Sequence, residues 1–278
     1  MPGRAHYSRL VKPYVLSNKN DRADSQAICE TIGRPHMRFV GIKSAEQQAQ
    51  QAVHRIRSLA VAQRTALVNQ IRGLLAEFGI EIPQGRSHVR AVLPDILGDG
   101  GTGDVSLDPL FLEMLSGLYE ALVQLEDRVA ELDRKVEQMA QANEQAKLLM
   151  TIPGIGPMTA TALLSAMGDP GVFRNGREFS AWLGLVPRQH STGGKERLLG
   201  ISKRGDRYLR CLLVHGARAV VRARSRKEQT DARSRWLKRL LDRRHQNVAT
   251  VALANRMART AWAVLSSGQP WQDNHVPA

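Results

Sequence analysis

Leu118-Tyr-Glu-Ala-Leu122-Val-Gln-Leu125-Glu-Asp-Arg-Val129-Ala-Glu-Leu132-Asp-Arg-Lys-Val136-Glu-Gln-Met139 sets apolar residues alternately four and three positions apart, with Glu126, Arg128, Glu131 and Arg134 among the charges between them. This is a heptad seam along one face of a long helix, and it predicts a coiled coil over 109–147. Three heptads are near the minimum for that reading. The seam therefore either joins two chains into a dimer or higher assembly, or packs a long helix onto its own domain.

Upstream, Val53, Ile56, Leu67, Ile71, Leu74, Leu75 and Phe78 recur at mostly helical spacing from Lys43-Ser44 onward, and Gly79 stops the pattern. Residues 83–108 hold Pro83, Gly85, Pro94 and Gly98-Asp-Gly-Gly-Thr-Gly103, which reads as a turn-rich linker closing a helical region over 44–108. Nearer the start, Asn20-Asp21 followed by Ala23, Ala27 and Ile28 predicts a short capped helix, broken by Gly33 and Pro35. Downstream, 148–267 reads as a helical domain with one Gly-rich extended segment at 184–201, and 268–278 as a tail. The fold class is mainly α.

A chain of 278 residues with 42% hydrophobic residues can bury a core, and no run approaches the roughly 18 apolar residues of a membrane span, so a cytoplasmic protein is expected. Cys29 and Cys211 lie far apart with no metal-ligand spacing and read as buried, reduced thiols. The net charge of +14 points to a polyanionic partner. Between 187 and 245, 18 Lys and Arg face 5 Asp and Glu, an excess of 13. Such a block suits a phosphate-binding surface, although charge runs are often only solvated. Aromatic content of 5% argues against a base-stacking single-strand platform.

Three local patterns carry chemistry. Leu149-Met-Thr-Ile-Pro-Gly-Ile-Gly-Pro-Met-Thr-Ala-Thr-Ala-Leu163 has the shape of a helix-hairpin-helix, in which Gly154 and Gly156 let backbone approach a DNA phosphate at the start of the next helix; the alternative is that they only make a tight corner. Ser191 and Thr192 precede Gly193-Gly194 and are ringed by Arg188, His190, Lys195 and Arg197, cations that could orient a phosphate around a hydroxyl nucleophile; by itself this is also an ordinary turn. Lys203-Arg204-Gly205-Asp206, with Arg210 beyond, alone reads as a helix start. Asp21 and Asp24 lie three residues apart on one helical face, a spacing that suits a divalent cation shared with phosphate and is equally common on solvated faces.

Taken in order, Lys19-Asn-Asp-x-x-Asp24, Arg64-Thr-Ala-Leu-Val-Asn-Gln-Ile-Arg-Gly-Leu-Leu75, Ile152-Pro-Gly-Ile-Gly156, Leu183-Gly-Leu-Val-Pro187, His190-Ser-Thr-Gly-Gly194 and Ile201-Ser-Lys-Arg-Gly205 with Leu209-Arg210 closely resemble the DEDD transposases of the insertion sequence 110 family, in its 1111 branch. The resemblance implies a RuvC-like domain of ribonuclease H fold with four acidic residues, a coiled coil, and a C-terminal transposase domain with a catalytic serine. It implies that Asp21 and Asp24 fill the last two acidic positions and hold Mg²⁺, that Ser191, in preference to Thr192, attacks the DNA backbone, and that Gly154, Gly156, Arg188, Lys195, Arg197, Lys203, Arg204 and Arg210 meet DNA. It further implies a structured guide RNA, related to the RNA-guided bridge recombinases, and a homo-oligomer. Residues 1–20 contain no carboxylate, so the first Asp and the Glu of the pattern have no counterpart before Asp21. The expectation is an N-terminally truncated chain in which 1–43 is a remnant of the RuvC-like domain, with little catalysis by itself. The alternative is an inactive nucleic-acid-binding remnant that co-assembles with full-length transposase.

Overall fold

The computed structural model describes residues 4–6, 11–15, 20–32, 34, 39–102, 105–224 and 232–272. These residues are mainly helical, with three two-stranded antiparallel ladders. Lys19, Gly33 and Pro35 of the sequence reading lie outside them. Among the described residues no helix is long and apolar enough to cross a membrane.

The chain divides into two compact units, residues 1–50 with 143–278, and residues 51–142. In the second, the heptad seam lies on α4 (Pro109–Ala142), which pairs antiparallel with α2 (Ala45–Glu77). The register is fixed at both ends: Arg57 of α2 pairs with Asp133 of α4, and the rings of Phe78 and Phe111 sit 4.3 Å apart. Leu115, Leu122, Val129, Leu132 and Val136 are buried, so the seam has a partner inside the chain, of the two alternatives the one in which the helix packs on its own domain. α2 opens through a capping box in which Gln47 N–H donates to Ser44 Oγ (3.1 Å) and Ser44 N–H to Gln47 Oε1 (3.0 Å). It ends where Gly79 enters the left-handed region, as the Gly79 stop predicts.

The turn-rich linker expected at 83–108 is instead largely a helix, α3 (Arg86–Asp99). Val89, Leu93 and Ile96 form its buried face and close a core with Ile71, Leu75, Leu115 and Leu122. Pro94 lies on the exposed side of this helix, so the breaker residues masked an apolar spacing of four and three. Arg86 and Arg90 tie α3 to Glu126 of α4 at 3.2 and 3.4 Å. A short ladder, β3 (Gly101–Thr102) with β4 (Val105–Ser106), returns the chain to α4.

In the first unit, β1 (Arg4–His6) pairs with β2 (Phe39–Gly41), and α1 (Asp21–Ile32) is capped by Asn20, whose Oδ1 accepts from Ala23 N–H at 2.7 Å. The C-terminal part is organised round α10 (Gln246–Ser267), whose Ala249, Leu253, Ala254, Met257, Ala258 and Ala261 are buried. Around it pack α5 (Glu144–Met150), α7 (Gly176–Trp182), α8 (Arg207–Arg224) and α9 (Ala232–Leu241). α6 (Pro157–Met167) lies against α5 and α8. Phe179 is fully buried, with Phe173 edge-on at 5.1 Å and Trp182 stacked at 5.7 Å. Cys29 and Cys211, expected to be buried, are both exposed: each falls on the outer face of an amphipathic helix, where spacing rather than thiol hydrophobicity decides.

His54 on α2 is buried, and loss of water, reinforced by the neighbouring Arg57 charge, lowers its pKa to about 4. The unfolded imidazole titrates near ~6.5, so the unfolded state takes up the proton first. This contribution is fully present above about pH 6.5 and is lost as the pH falls towards 4. Urea midpoints should drop over that window, by up to ~1.4 kcal/mol per pH unit from this group. His54→Gln should flatten the profile between those limits; an unchanged profile would contradict the assignment.

Candidate nucleic-acid interface and serine hairpin

The extended segment expected at 184–201 is a β-hairpin in which β5 (Pro187–Gln189) pairs with β6 (Leu198–Ile201). At its tip Thr192 pairs with Lys195 across Gly193 and Gly194, both at positive φ, as a two-residue type I′ turn requires. His190 N–H donates to Arg197 O at 2.9 Å and Lys195 N–H to Thr192 O at 3.1 Å, so the loop is an ordered turn. Every residue from Pro187 to Gly200 is exposed.

Pleating sorts the side chains. Ser191 shares a face with Gln189, whose Nε2 donates to Ser191 Oγ at 3.0 Å. The register from Gln189–Leu198 to Thr192–Lys195 sets Glu196 across from Ser191 on that face. His190, Thr192, Lys195 and Arg197 alternate onto the other. The cations expected to ring both hydroxyls therefore surround Thr192 more directly than Ser191. Gln189 was not singled out in the sequence, although its position two residues before Ser191 on an extended strand is the signal that finds it.

The base of the hairpin is set by a backbone crossing. A Cβ on Gly205 would lie 2.2 Å from Trp182 O, and one on Gly184 2.7 Å from Gly205 N. Lys203 N–H donates to Gly184 O at 3.1 Å and Ser202 N–H to Val186 O at 2.8 Å across the same junction. Arg210, half-buried, directs Nη1 to the carbonyls of Leu183 (3.1 Å) and Gly205 (3.3 Å). Asp206 caps α8, accepting from Tyr208 and Leu209 N–H at 2.7 and 3.1 Å. Lys203 and Arg204 are exposed at this junction beside the strands.

The predicted helix-hairpin-helix corner falls at residues 151–156, between α5 and α6. Gly154 is turned inward: a Cβ there would meet Gly216 O of α8 at 2.9 Å, and one on Gly216 would meet Gly154 O at 2.0 Å. Its smallness serves helix packing, whereas Gly156 is exposed at the N-cap of α6 with open space around it. Asp21 is exposed and Asp24 half-buried in the first turn of α1. Among the described residues no hydrogen bond or ion pair joins them to Ser191, and no group of three or more His, Cys, Asp and Glu could hold a metal. The donor set is two carboxylates, which fits Mg²⁺ bound jointly with phosphate oxygens and water.

Residues 146–232, which include the corner, the hairpin and the crossing, match the family model described as Transposase IS116/IS110/IS902 family. The chain is also 52% identical over 259 residues to a probable family 20 transposase of Pseudomonas aeruginosa, covering 93% of this chain and 75% of the relative. The chain belongs to the IS116/IS110/IS902 transposase family. It is 46% identical over 262 residues to the transposase for insertion sequence element IS1111A of Coxiella burnetii, covering 94% of this chain and 71% of the relative. It is 41% identical over 263 residues to the transposase for insertion sequence element IS1328 of Yersinia enterocolitica, covering 94% and 75%. The family of insertion-sequence transposases expected from the ordered motifs is thus the one found.

The crossing makes a contrast between glycines measurable. Gly205→Ala should destabilise this transposase by about 1–3 kcal/mol in a urea melt, because its methyl has nowhere to go. Gly156→Ala, with nothing within 4 Å, should stay within about 0.5 kcal/mol of the parent. Equal effects would remove the crossing from the account.

Proposed function

We propose that this transposase cuts and rejoins DNA through Ser191, presented on the hairpin of residues 187–201, whose cations lie on the opposite face beside Thr192. The observation that carries the reading is an exposed primary hydroxyl on an anchored hairpin, accepting a hydrogen bond from Gln189 so that its own proton is free to be donated. Ser191 Oγ attacks phosphorus, a new P–O bond to the protein forms, and the bond to the leaving DNA oxygen breaks. Glu196 is the acceptor we assign to the hydroxyl proton, and the leaving oxygen is protonated from water. The phosphodiester energy is kept in the protein link for rejoining.

Arg188, Lys195, Arg197, Lys203 and Arg204 hold the DNA backbone, with Gly156 at the N-cap of α6 as a further backbone contact. Asp21 and Asp24 are the residues that would hold Mg²⁺, whose chemistry there is to neutralise phosphate charge. Sequence choice lies with a structured guide RNA, since the protein's assigned contacts are to backbone. The protein acts in the cytoplasm, as a homo-oligomer in which carboxylates and serine converge on one DNA. A second reading, a nucleic-acid-binding chain without catalysis, draws support from the hairpin's cations lying on the face opposite Ser191.

Binding to duplex DNA should weaken by about tenfold or more between 50 and 200 mM salt if several phosphates are neutralised; a flat response would remove the phosphate surface. Incubated with labelled DNA, guide RNA and Mg²⁺, the transposase should give a protein-linked DNA band on a denaturing gel. Ser191→Ala and Asp21→Asn should abolish the band, while Thr192→Ala should keep most of it. Loss in Thr192→Ala with retention in Ser191→Ala would move the nucleophile, and no band in any variant would favour the non-catalytic reading.

A further inference from the structure

A cavity of about 890 Å³ opens between the serine hairpin and α10. Its floor is apolar, with Leu199 and Ile201 of the hairpin facing Val248 and Val251 of α10, and Trp236 of α9 on one side. Arg188, Lys203, Arg256 and Arg259 line it as well, and none of its lining residues is Asp or Glu. The Arg256 guanidinium lies over the Trp236 ring, 5.2 Å from its centre, a cation–π contact at the side of the cavity. Asn255 donates from Nδ2 to Ser180 Oγ (2.6 Å) and Leu185 O (3.1 Å), which fixes the amide at this wall. Leu199 and Val248 remain 39% and 51% exposed, so apolar surface is open to a ligand here.

We propose that this cavity receives one unpaired DNA base beside the Ser191 hairpin, an inference that rests on the DNA reading above. An apolar cavity whose charged lining residues are all cations is complementary to a ligand that is itself flat and apolar at one end and anionic at the other. A nucleotide has that form: its base stacks on apolar, aromatic or guanidinium planes, and its phosphate meets Arg or Lys. The volume lies within the roughly 300–1,000 Å³ of small-molecule sites, enough for one base with its sugar. An extrahelical base costs least to seat when it is already unpaired, as at a nick, bulge or strand end. The cavity would hold the strand in place while the neighbouring phosphate lies along the hairpin, because Arg188 and Lys203 belong to both surfaces.

The test compares the full chain's affinity for a fully paired DNA duplex and for the same duplex with one bulged 2-aminopurine, by fluorescence anisotropy at fixed salt. The bulged duplex should bind about fivefold or more tightly, the scale of one stacked base, and 2-aminopurine emission should change on binding. Val248→Trp, on the exposed first turn of α10, should fill the cavity, cancel the preference and the emission change, and leave paired-duplex affinity as it was. Trp236→Ala should reduce both signals, providing a second route should either variant be unstable. Equal affinity for the two duplexes, a preference that survives Val248→Trp, or a signal confined to bulged RNA would overturn the proposal. Failure of both duplexes to bind would instead overturn the DNA reading on which it rests.

Discussion

Two stretches of backbone, Trp182–Leu185 and Lys203–Gly205, approach so closely that no side chain fits between them. The serine hairpin is the excursion of chain between these two stretches, so its root is set by backbone contact rather than by side-chain packing. Arg210 fastens the junction by reaching the carbonyls of Leu183 and Gly205, and Asp206 starts α8 from the same point. Phe179 and Trp182 anchor one side in the aromatic cluster, and Asn255 of α10 reaches Leu185 O. An exposed hydroxyl on a two-residue turn is ordinarily a mobile group. Here the hairpin is short, rooted at both ends and paired up to its tip.

Charge is used in two distinct ways. Among the three helices α2, α3 and α4, cations meet carboxylates: Arg57 with Asp133, Arg86 and Arg90 with Glu126, Lys135 with Glu131. Such surface pairs add little stability each, and those from Arg57, Arg86 and Arg90 join different helices and so bear on their register. On the hairpin and its root, none of the ion pairs among the described residues involves Arg188, Lys195, Arg197 or Lys203. Cations gathered without acidic partners repel one another and favour a polyanion, the same preference that the excess of 13 positive charges over 187–245 announces.

Much of this was legible in the sequence because it depends on local pattern. The heptad seam, the helix running from Lys43-Ser44 to the Gly79 stop, the Asn20 cap and the extended character of 184–201 each follow from spacing or turn chemistry within a few residues. What escaped depends on partners distant in the chain. α3 was hidden because Pro94 and the nearby glycines outweighed three apolar residues whose partners lie in α2 and α4. Gly154 reads as a phosphate contact until Gly216, 62 positions later, is seen against it. The grouping of cations with Thr192 and of Gln189 and Glu196 with Ser191 requires the pairing register, which the Ser-Thr-Gly-Gly run alone does not fix.

The proposed role of the hairpin is to present Ser191 to a phosphate. Peptide mapping of the covalent protein–DNA product by mass spectrometry, after nuclease trimming, tests it most directly. The account predicts that the residual nucleotide is found on Ser191. A nucleotide on Thr192, Tyr208 or any residue outside the hairpin would contradict it.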